Sequence, residues 1–115
     1  MLPRESKKYL WDAQHAADLV LGFAEGRIYE DYQTNDMLRS AVERQPEIVG
    51  EALAQFARRN PNAALLIPEL HAVVGLRNVL AHGYETVDNR RIWSVVQEDL
   101  PGLRVVLARL LGEPN

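Results

Sequence analysis

Residues 70–84 read LHAVVGLRNVLAHGY, and this stretch carries the clearest helical pattern in the chain. At about 100° per residue, most of its apolar positions gather on one side of a helix. The face so defined consists of Leu70, Val73, Val74, Leu80 and Ala81. Pro68 suits the first helical position and Gly83 suits a C-terminal cap. We therefore predict a helix from Pro68 to about Ala81.

Apolar stripes of the same helical period lie on both sides of this stretch. They predict a helix over residues 6–24 that stops near Gly26, a second from Asn35 to Arg59, a short helix carrying Ile92 to Val96, and a last helix striped by Leu103 to Leu110. The predicted N-terminal caps are Asn35, Asp88 and Asp99. Residues 29–34 and 60–62 are polar and are predicted to be connections.

Pro46 interrupts the second of these helices. A proline inside a helix lacks one N–H donor and clashes with the preceding turn, at a cost of about 3 kcal/mol. We therefore expect a kink or a break close to Arg44 or Gln45.

No segment alternates apolar and polar residues in the way that a strand does. The sequence predicts an all-α protein, an antiparallel bundle of about four to five helices with short connections. The length of 115 residues suits a single domain over residues 1–115.

Composition excludes several classes of protein. The chain has no cysteine, which excludes disulfides and thiolate metal sites and agrees with a reducing compartment. No apolar run is long enough for a membrane span, so we expect a cytoplasmic protein without membrane contact. The net charge of −3 argues against a broad basic face for nucleic acid.

Arg77 falls within the apolar face of the predicted helix at 68–81, where a guanidinium without a partner is costly to bury. It therefore needs a carboxylate or a phosphate. Glu47 and Glu51, one turn apart on the second helix, are the candidate internal partners. A structural ion pair and an anion-binding site both stay open at this point.

His82 follows Arg77 by five residues, about 140° further round the helix. The two side chains can act on one substrate if the helix unwinds near Gly83 or if a second subunit contributes its own copy. Their chemistry suits RNA cleavage without a metal, because histidine can transfer protons and arginine can hold a phosphate. An Arg-x4-His match alone is expected by chance about 0.3 times in this composition, and a following Tyr84 lowers this to about 0.01.

The segment Val74–Tyr84, with Ile92-Trp93 and Asp99-Leu100-Pro101 after it, resembles the HepT-type toxins, a branch of the HEPN ribonucleases. The second helix is similar to the same family in Asp36, Leu38, Arg39, Arg44, Glu47, Ile48, Gly50, Glu51 and Ala52, and the first helix in Phe23-Ala24-Glu25-Gly26. The resemblance covers nearly the whole chain. Pro46 departs from it, since relatives carry a large apolar residue there.

This resemblance implies a helical homodimer whose cleft joins the Arg-x4-His segments of both subunits. Arg77 and His82 match the catalytic residues of the family. Tyr84 matches a tyrosine that a minimal nucleotidyltransferase antitoxin modifies with AMP. An adenylyl group there would exclude substrate phosphate from the site by its charge and its volume.

The sequence also offers residues that could bind RNA or a metal. Asn78 and the basic pair Arg90-Arg91 are expected to contact the RNA substrate. Asp12 and His15 have the spacing of a pair of metal ligands, but metal sites in helical bundles need this spacing twice and it occurs here once. The glycines form no phosphate-binding loop of the kind that nucleotide-binding proteins have. We expect neither a metal nor a cofactor.

Trp11 and Trp93 are predicted to be core or dimer anchors rather than base-stacking surfaces, and Tyr29 and Tyr32 to be surface residues. A different class of function stays open beside the ribonuclease. In it the chain is a non-catalytic helical module that binds the nucleotidyltransferase, with Arg77 locked in a core ion pair.

Overall fold

The computed structural model describes residues 2–82 and 88–112. These residues form α1 (Arg4–Ala24), α2 (Tyr29–Thr34), α3 (Asp36–Arg59), α4 (Pro61–Ala64), α5 (Leu70–His82), α6 (Asn89–Ser94) and α7 (Leu100–Leu110), with a π-helical turn over Val95–Asp99. No strand occurs in these two ranges. The prediction of an all-α bundle is confirmed, with α1, α3, α5 and α7 as its long helices.

Helix α3 is the centre of the bundle, because it packs against both α1 and α5, while α7 packs against α1. Its buried stripe runs at helical spacing along the whole element. The side chains with no exposed surface include Leu10, Val20, Val42, Leu53, Phe56, Leu76, Ile92, Leu103 and Leu107. All four long helices thus share one core.

The predicted helix ends at Asn35, Asp88 and Gly26 are confirmed. The Asn35 side chain accepts a hydrogen bond from the Leu38 N–H at 3.0 Å, and the Asp88 carboxylate accepts one from the Arg90 N–H at 2.9 Å. Gly26 has φ +72°, a conformation that suits glycine after a helix. The helix predicted from Pro68 begins two residues later, at Leu70.

Of the kink or break expected close to Arg44 or Gln45, the break is wrong, since α3 is one continuous helix from Asp36 to Arg59. Pro46 is itself buried and lies between Val42 and Val49 on the same stripe. Its ring therefore contributes to the packing of α3 in the core. This burial offsets part of the cost of the missing hydrogen bond.

Residues 29–34 form α2 instead of the predicted polar connection. The prediction of a surface residue is wrong for Tyr32, which has no exposed surface. Its ring stacks on Trp93 at 5.4 Å between centroids, and its hydroxyl donates a hydrogen bond to Glu43 at 2.9 Å. Tyr32 therefore attaches α2 to α3 and α6. Part of the predicted loop at 60–62 belongs to the short helix α4.

Among the described helices, none combines the length and the apolar character that crossing a bilayer would require.

Candidate functional site

Arg77 lies at the edge of the buried face of α5. That face consists of Val73, Leu76 and Leu80, while Ala81, which the sequence placed on it, is exposed. At about 100° per residue, Arg77 falls roughly 65° from the middle of the observed face. The guanidinium therefore reaches the surface beside α3, and 23% of the Arg77 side chain is exposed.

A short network of hydrogen bonds holds the guanidinium of Arg77 in place. Its Nη2 donates to Oε2 of Glu51 on α3, and its Nη1 donates to Oδ1 of the neighbouring Asn78 at 2.8 Å. The structure thus brings together three of the predicted site residues. Glu47 does not take part in this pair, since its carboxylate lies 3.6 Å from Arg44 on its own helix.

The Arg77–Glu51 pair is open to solvent on the side of Glu51, whose side chain is 45% exposed. Gln55, one turn further along α3, donates to the other oxygen of Glu51 at 3.3 Å. The hydrogen bond from Gln55, together with the charge of Arg77, holds the pKa of the Glu51 carboxyl below its ordinary value, although partial burial acts in the opposite direction. Glu51 is therefore ionised at neutral pH.

A groove of about 560 Å³ runs between α1, α3 and α5, and Arg77 forms part of its wall. We call it the α1–α3–α5 groove. Its other lining residues include Tyr9, Asp12, His15, Ile48 and Gln55. Glu47 also lines it, so the groove contains both glutamates that the sequence placed opposite Arg77. An anion that exchanges with Glu51 on the guanidinium would enter through this groove.

His82 is the last residue of α5 and is exposed. It stands one residue beyond Ala81, which lines the α1–α3–α5 groove. The predicted cap Gly83 and the predicted modified residue Tyr84 lie outside the described residues.

The two arginines at the start of α6 contact different parts of the structure. The guanidinium of Arg90 lies over the ring of Tyr29, 4.3 Å from its centroid. Arg91 instead lies against α5, where its Nη2 would be 3.2 Å from a β-carbon at Gly75. Gly75 is one turn before Asn78 on α5, the helix that carries the Arg-x4-His motif. Of the two arginines, Arg91 is therefore the one that is close to this helix.

The profile of the family described as ribonuclease HepT-like matches residues 13–110. The chain belongs to this family. The match includes Arg77, Glu51 and His82, and also His15 of the groove, whereas the lining residues Tyr9 and Asp12 precede it. No solved structure is significantly similar to this HepT-like chain.

Several proteins with RNase names are similar to the HepT-like chain over most of their length. One from Methanocaldococcus jannaschii is 34% identical over 108 residues, which are 90% of this chain and 94% of that protein. A protein of Thermococcus cleftensis named as a ribonuclease HepT is 34% identical over 106 residues, covering 90% and 93%. A third, from Caldanaerobacter subterraneus, is 25% identical over 105 residues, covering 91% and 93%.

Sequence reasoning missed two parts of the HepT-like site. Gln55 follows Glu51 by four residues, the spacing of neighbours on a helix, and this signal could have shown that it supports the carboxylate. His15 is predicted from the sequence to be a surface or partly buried histidine, and the structure shows that it lines the same groove as Arg77. No local pattern indicates which face of α1 meets that groove, because this depends on how α1 packs against α3.

Proposed function

We propose that this chain is an endoribonuclease that cuts RNA without a metal and acts as a homodimer. Membership of the ribonuclease HepT-like family and the RNase names of its relatives support the reaction class. The observation that carries the assignment to residues is the position of Arg77. Its guanidinium lies on the wall of an open groove and pairs with a half-exposed carboxylate, so a phosphate can replace that partner.

In the proposed reaction, His82 transfers protons and Arg77 binds the phosphate. A histidine base removes the proton from the ribose 2′-hydroxyl, whose oxygen attacks the adjacent phosphorus. The bond from phosphorus to the 5′-oxygen breaks, and an imidazolium, that of His82 in one of the two copies, protonates this oxygen as it leaves. The products end in a 2′,3′-cyclic phosphate, or a 3′-phosphate after hydrolysis, and in a 5′-hydroxyl. Only RNA has the internal nucleophile that this reaction requires.

A homodimer supplies the geometry that one helix does not. Arg77 and His82 are five residues apart on α5, about 140° round the helix axis, so their side chains diverge within one chain. A two-fold axis that brings two copies of α5 together lets Arg77 of one copy and His82 of the other face the same phosphate. Asn78 and Arg91 are the further candidates for RNA contacts, whereas the guanidinium of Arg90 lies over the ring of Tyr29.

We further propose that the chain is a cytoplasmic toxin neutralised by a minimal nucleotidyltransferase antitoxin, which transfers AMP to Tyr84. The resemblance of Arg77, His82 and Tyr84 to the motif of HepT-type toxins supports this pairing. A phosphate group two residues from His82 would repel the substrate phosphate. The intact mass after incubation with the partner and ATP tests the transfer, since wild type should gain adenylyl units and Tyr84→Phe should gain none.

The decisive experiment is an RNA cleavage assay with and without EDTA. We expect cleavage in both conditions, products with cyclic phosphate or 3′-phosphate ends, and a loss of at least about 100-fold in His82→Ala. His71→Ala removes another exposed histidine from α5 and serves as the matched control with unchanged activity. Equal cleavage by His82→Ala and wild type, in preparations free of other nucleases, would disprove the catalytic assignment.

The Arg77–Glu51 pair also favours a second candidate, a non-catalytic module that binds the nucleotidyltransferase. Here the pair is structural and does not open. This second candidate function predicts that the chain binds the nucleotidyltransferase and does not cut RNA. It also predicts that Arg77→Lys lowers the stability of the chain and leaves partner binding unchanged in the folded fraction.

A further inference from the structure

The α1–α3–α5 groove has the size and the lining of a site for a planar organic ligand. Its volume of about 560 Å³ lies within the usual range for small-molecule sites. Its apolar lining comes from small and aliphatic side chains, Ala16, Leu19, Ile48, Ala52 and Ala81. Polar groups are placed around this apolar surface, among them Asp12, Gln45 and Gln55.

The same lining is unfavourable for a protein side chain that would fill the groove. Charged residues are depleted at the centre of protein interfaces because their desolvation is costly. Here two ion pairs, Arg77–Glu51 and Arg44–Glu47, line the groove together with Asp12. A nucleobase fits this arrangement better, since it has apolar faces for the alanines and polar edges for the amides and the carboxylate.

An aromatic ring forms one part of the groove. His15 lines the groove, and its imidazole stacks on Trp11 with 5.2 Å between the centroids and 7° between the planes. Trp11 is 54% exposed and therefore does not belong to the core. It covers one face of the imidazole. Unstacked bases of RNA are bound by rings of this kind.

Arg77 connects the groove to the proposed cleavage site. The guanidinium and Ala81, the residue before His82, both line the groove. Arg77 and His15 line the same groove, so a nucleotide that fills it would contact both side chains.

We propose that the α1–α3–α5 groove binds one unpaired nucleobase of the RNA substrate, next to the phosphate that Arg77 holds. This inference rests on the proposed ribonuclease function, to which it adds a site of base recognition. His15 contributes the stacking surface, and Asp12, Gln45 and Gln55 contribute polar groups for the edge of the base. The chain would thus cut single-stranded RNA with a preference for the base at this position.

The first test is a titration of the full chain with each of the four nucleoside 3′-monophosphates and with inorganic phosphate. Calorimetry gives the affinities, and NMR of ¹³C-labelled alanine methyl groups gives the location. We expect at least one nucleotide to bind about fivefold or more tightly than phosphate. It should shift the methyl signals of Ala16 and Ala52, with Ala64 in α4 as the reference. Equal affinities, or unshifted Ala16 and Ala52 signals, would overturn the proposal.

The second test compares two histidine variants. His15→Ala should lower the ratio of nucleotide affinity to phosphate affinity by about threefold or more, because the stacking surface is lost. His71→Ala, an exposed histidine outside the groove lining, should keep the wild-type ratio. Far-ultraviolet circular dichroism verifies that both variants are folded. A wild-type ratio in folded His15→Ala would contradict the proposal.

These measurements separate the base site from the proposed function, because binding is measured without cleavage. A chain that cuts RNA but binds phosphate and nucleotides equally retains the ribonuclease function and refutes the base site. A chain that selects a nucleotide but cuts no RNA supports the groove as a nucleotide site and refutes the ribonuclease. Shifts of the Ala16 and Ala52 signals on simple dilution would assign the groove to a contact between copies and overturn the proposal.

Discussion

Gly50 on α3 lies directly against Arg77 on α5, closer than any residue with a side chain could lie. A β-carbon at Gly50 would overlap that of Arg77, and it would be 2.9 Å from the Val73 carbonyl oxygen and 3.0 Å from Cγ of Arg77. The backbone of α3 at Gly50 therefore contacts the side chain of Arg77 on α5. Because Glu51 is the next residue, this close approach also brings its carboxylate to the guanidinium of Arg77.

Gly50→Ala should therefore destabilise the chain and impair the site at the same time. The new methyl group must push α5 away from α3, which costs about 1–3 kcal/mol for overpacking of this kind. We expect a lower urea midpoint, and a reduced rate of RNA cleavage in the fraction that remains folded.

Gly22→Ala is the matched control. Gly22 lies in α1, and a β-carbon there meets nothing within 4 Å. Alanine should raise stability by about 0.5–1 kcal/mol, since glycine is the poorer helix former. A Gly50→Ala variant as stable as wild type would show that α3 and α5 are not packed this closely.

The ion pair between Arg77 and Glu51 should make stability depend on pH in acid. The pKa of Glu51 is lower in the folded chain than its ordinary value, through Gln55 and Arg77. A carboxyl with a lowered pKa stabilises the fold at pH values above its ordinary pKa, and this contribution disappears as the pH falls through the folded pKa. Because Glu51 is half exposed, the contribution at pH 7 should be less than about 1 kcal/mol.

Glu51→Gln should remove this part of the acid dependence, as measured by urea denaturation at pH 7 and pH 3. Glu47→Gln removes a carboxylate one turn earlier that contacts Arg44 and not Arg77. We expect it to retain the acid dependence that comes from the Arg77 pair. The same pH profile in Glu51→Gln and wild type would mean that the pair does not form in solution.

Helix positions could be predicted from the sequence because they depend on local signals. The stripe of α3 and the cap at Asn35 follow from spacing and side-chain chemistry alone. The error at Pro46 has a different origin. Whether its ring costs or contributes stability depends on its burial in the core, which no local pattern indicates. Tyr32 was misjudged for the same reason, since its burial depends on Trp93 and Glu43.

The residues of the site could be predicted more readily than their arrangement. The sequence shows that an arginine near an apolar face needs an anion, and it offers Glu47 and Glu51 equally. The close approach of α3 and α5 at Gly50 brings Glu51, and not Glu47, to the guanidinium of Arg77. The groove that His15 lines could not be predicted from the sequence, because it forms between three helices that are far apart along the chain.

Asp99→Asn should stabilise the chain at neutral pH. Burial, followed by the nearby charge of Glu98, raises the pKa of Asp99 in the folded chain. A raised carboxyl pKa means that the protonated form stabilises the fold, and this contribution is lost as the pH rises through the folded pKa. The wild-type carboxylate therefore carries a penalty at pH 7, which the amide avoids.

We expect a gain of a few tenths of a kcal/mol at pH 7 that disappears near pH 3, measured by urea denaturation. Loss of a helix cap should not obscure it. Within the described residues the Asp99 side chain makes no capping hydrogen bond, and the backbone is already helical before it. Lower stability of Asp99→Asn than of wild type at pH 7 would contradict the prediction.

Arg91 and Arg90 should differ in how they affect RNA binding, although they are neighbours in the sequence. Arg91 lies against Gly75 on the helix of the motif, whereas Arg90 covers the ring of Tyr29 on α2. If Arg91 contacts one phosphate, Arg91→Gln should reduce the slope of log affinity against log salt by about one, and weaken binding equally for all RNA sequences.

Arg90→Gln should leave that slope close to the wild-type value and instead lower the free energy of unfolding by about 0.5–1 kcal/mol, since an exposed cation–π contact is lost. Binding is measured with His82→Ala in the background, so that the RNA stays intact during the titration. Equal salt slopes for the two variants would show that the position of Arg91 on α5 gives it no special part in binding RNA. A reduced slope in Arg90→Gln alone would place the RNA backbone on the side of α2.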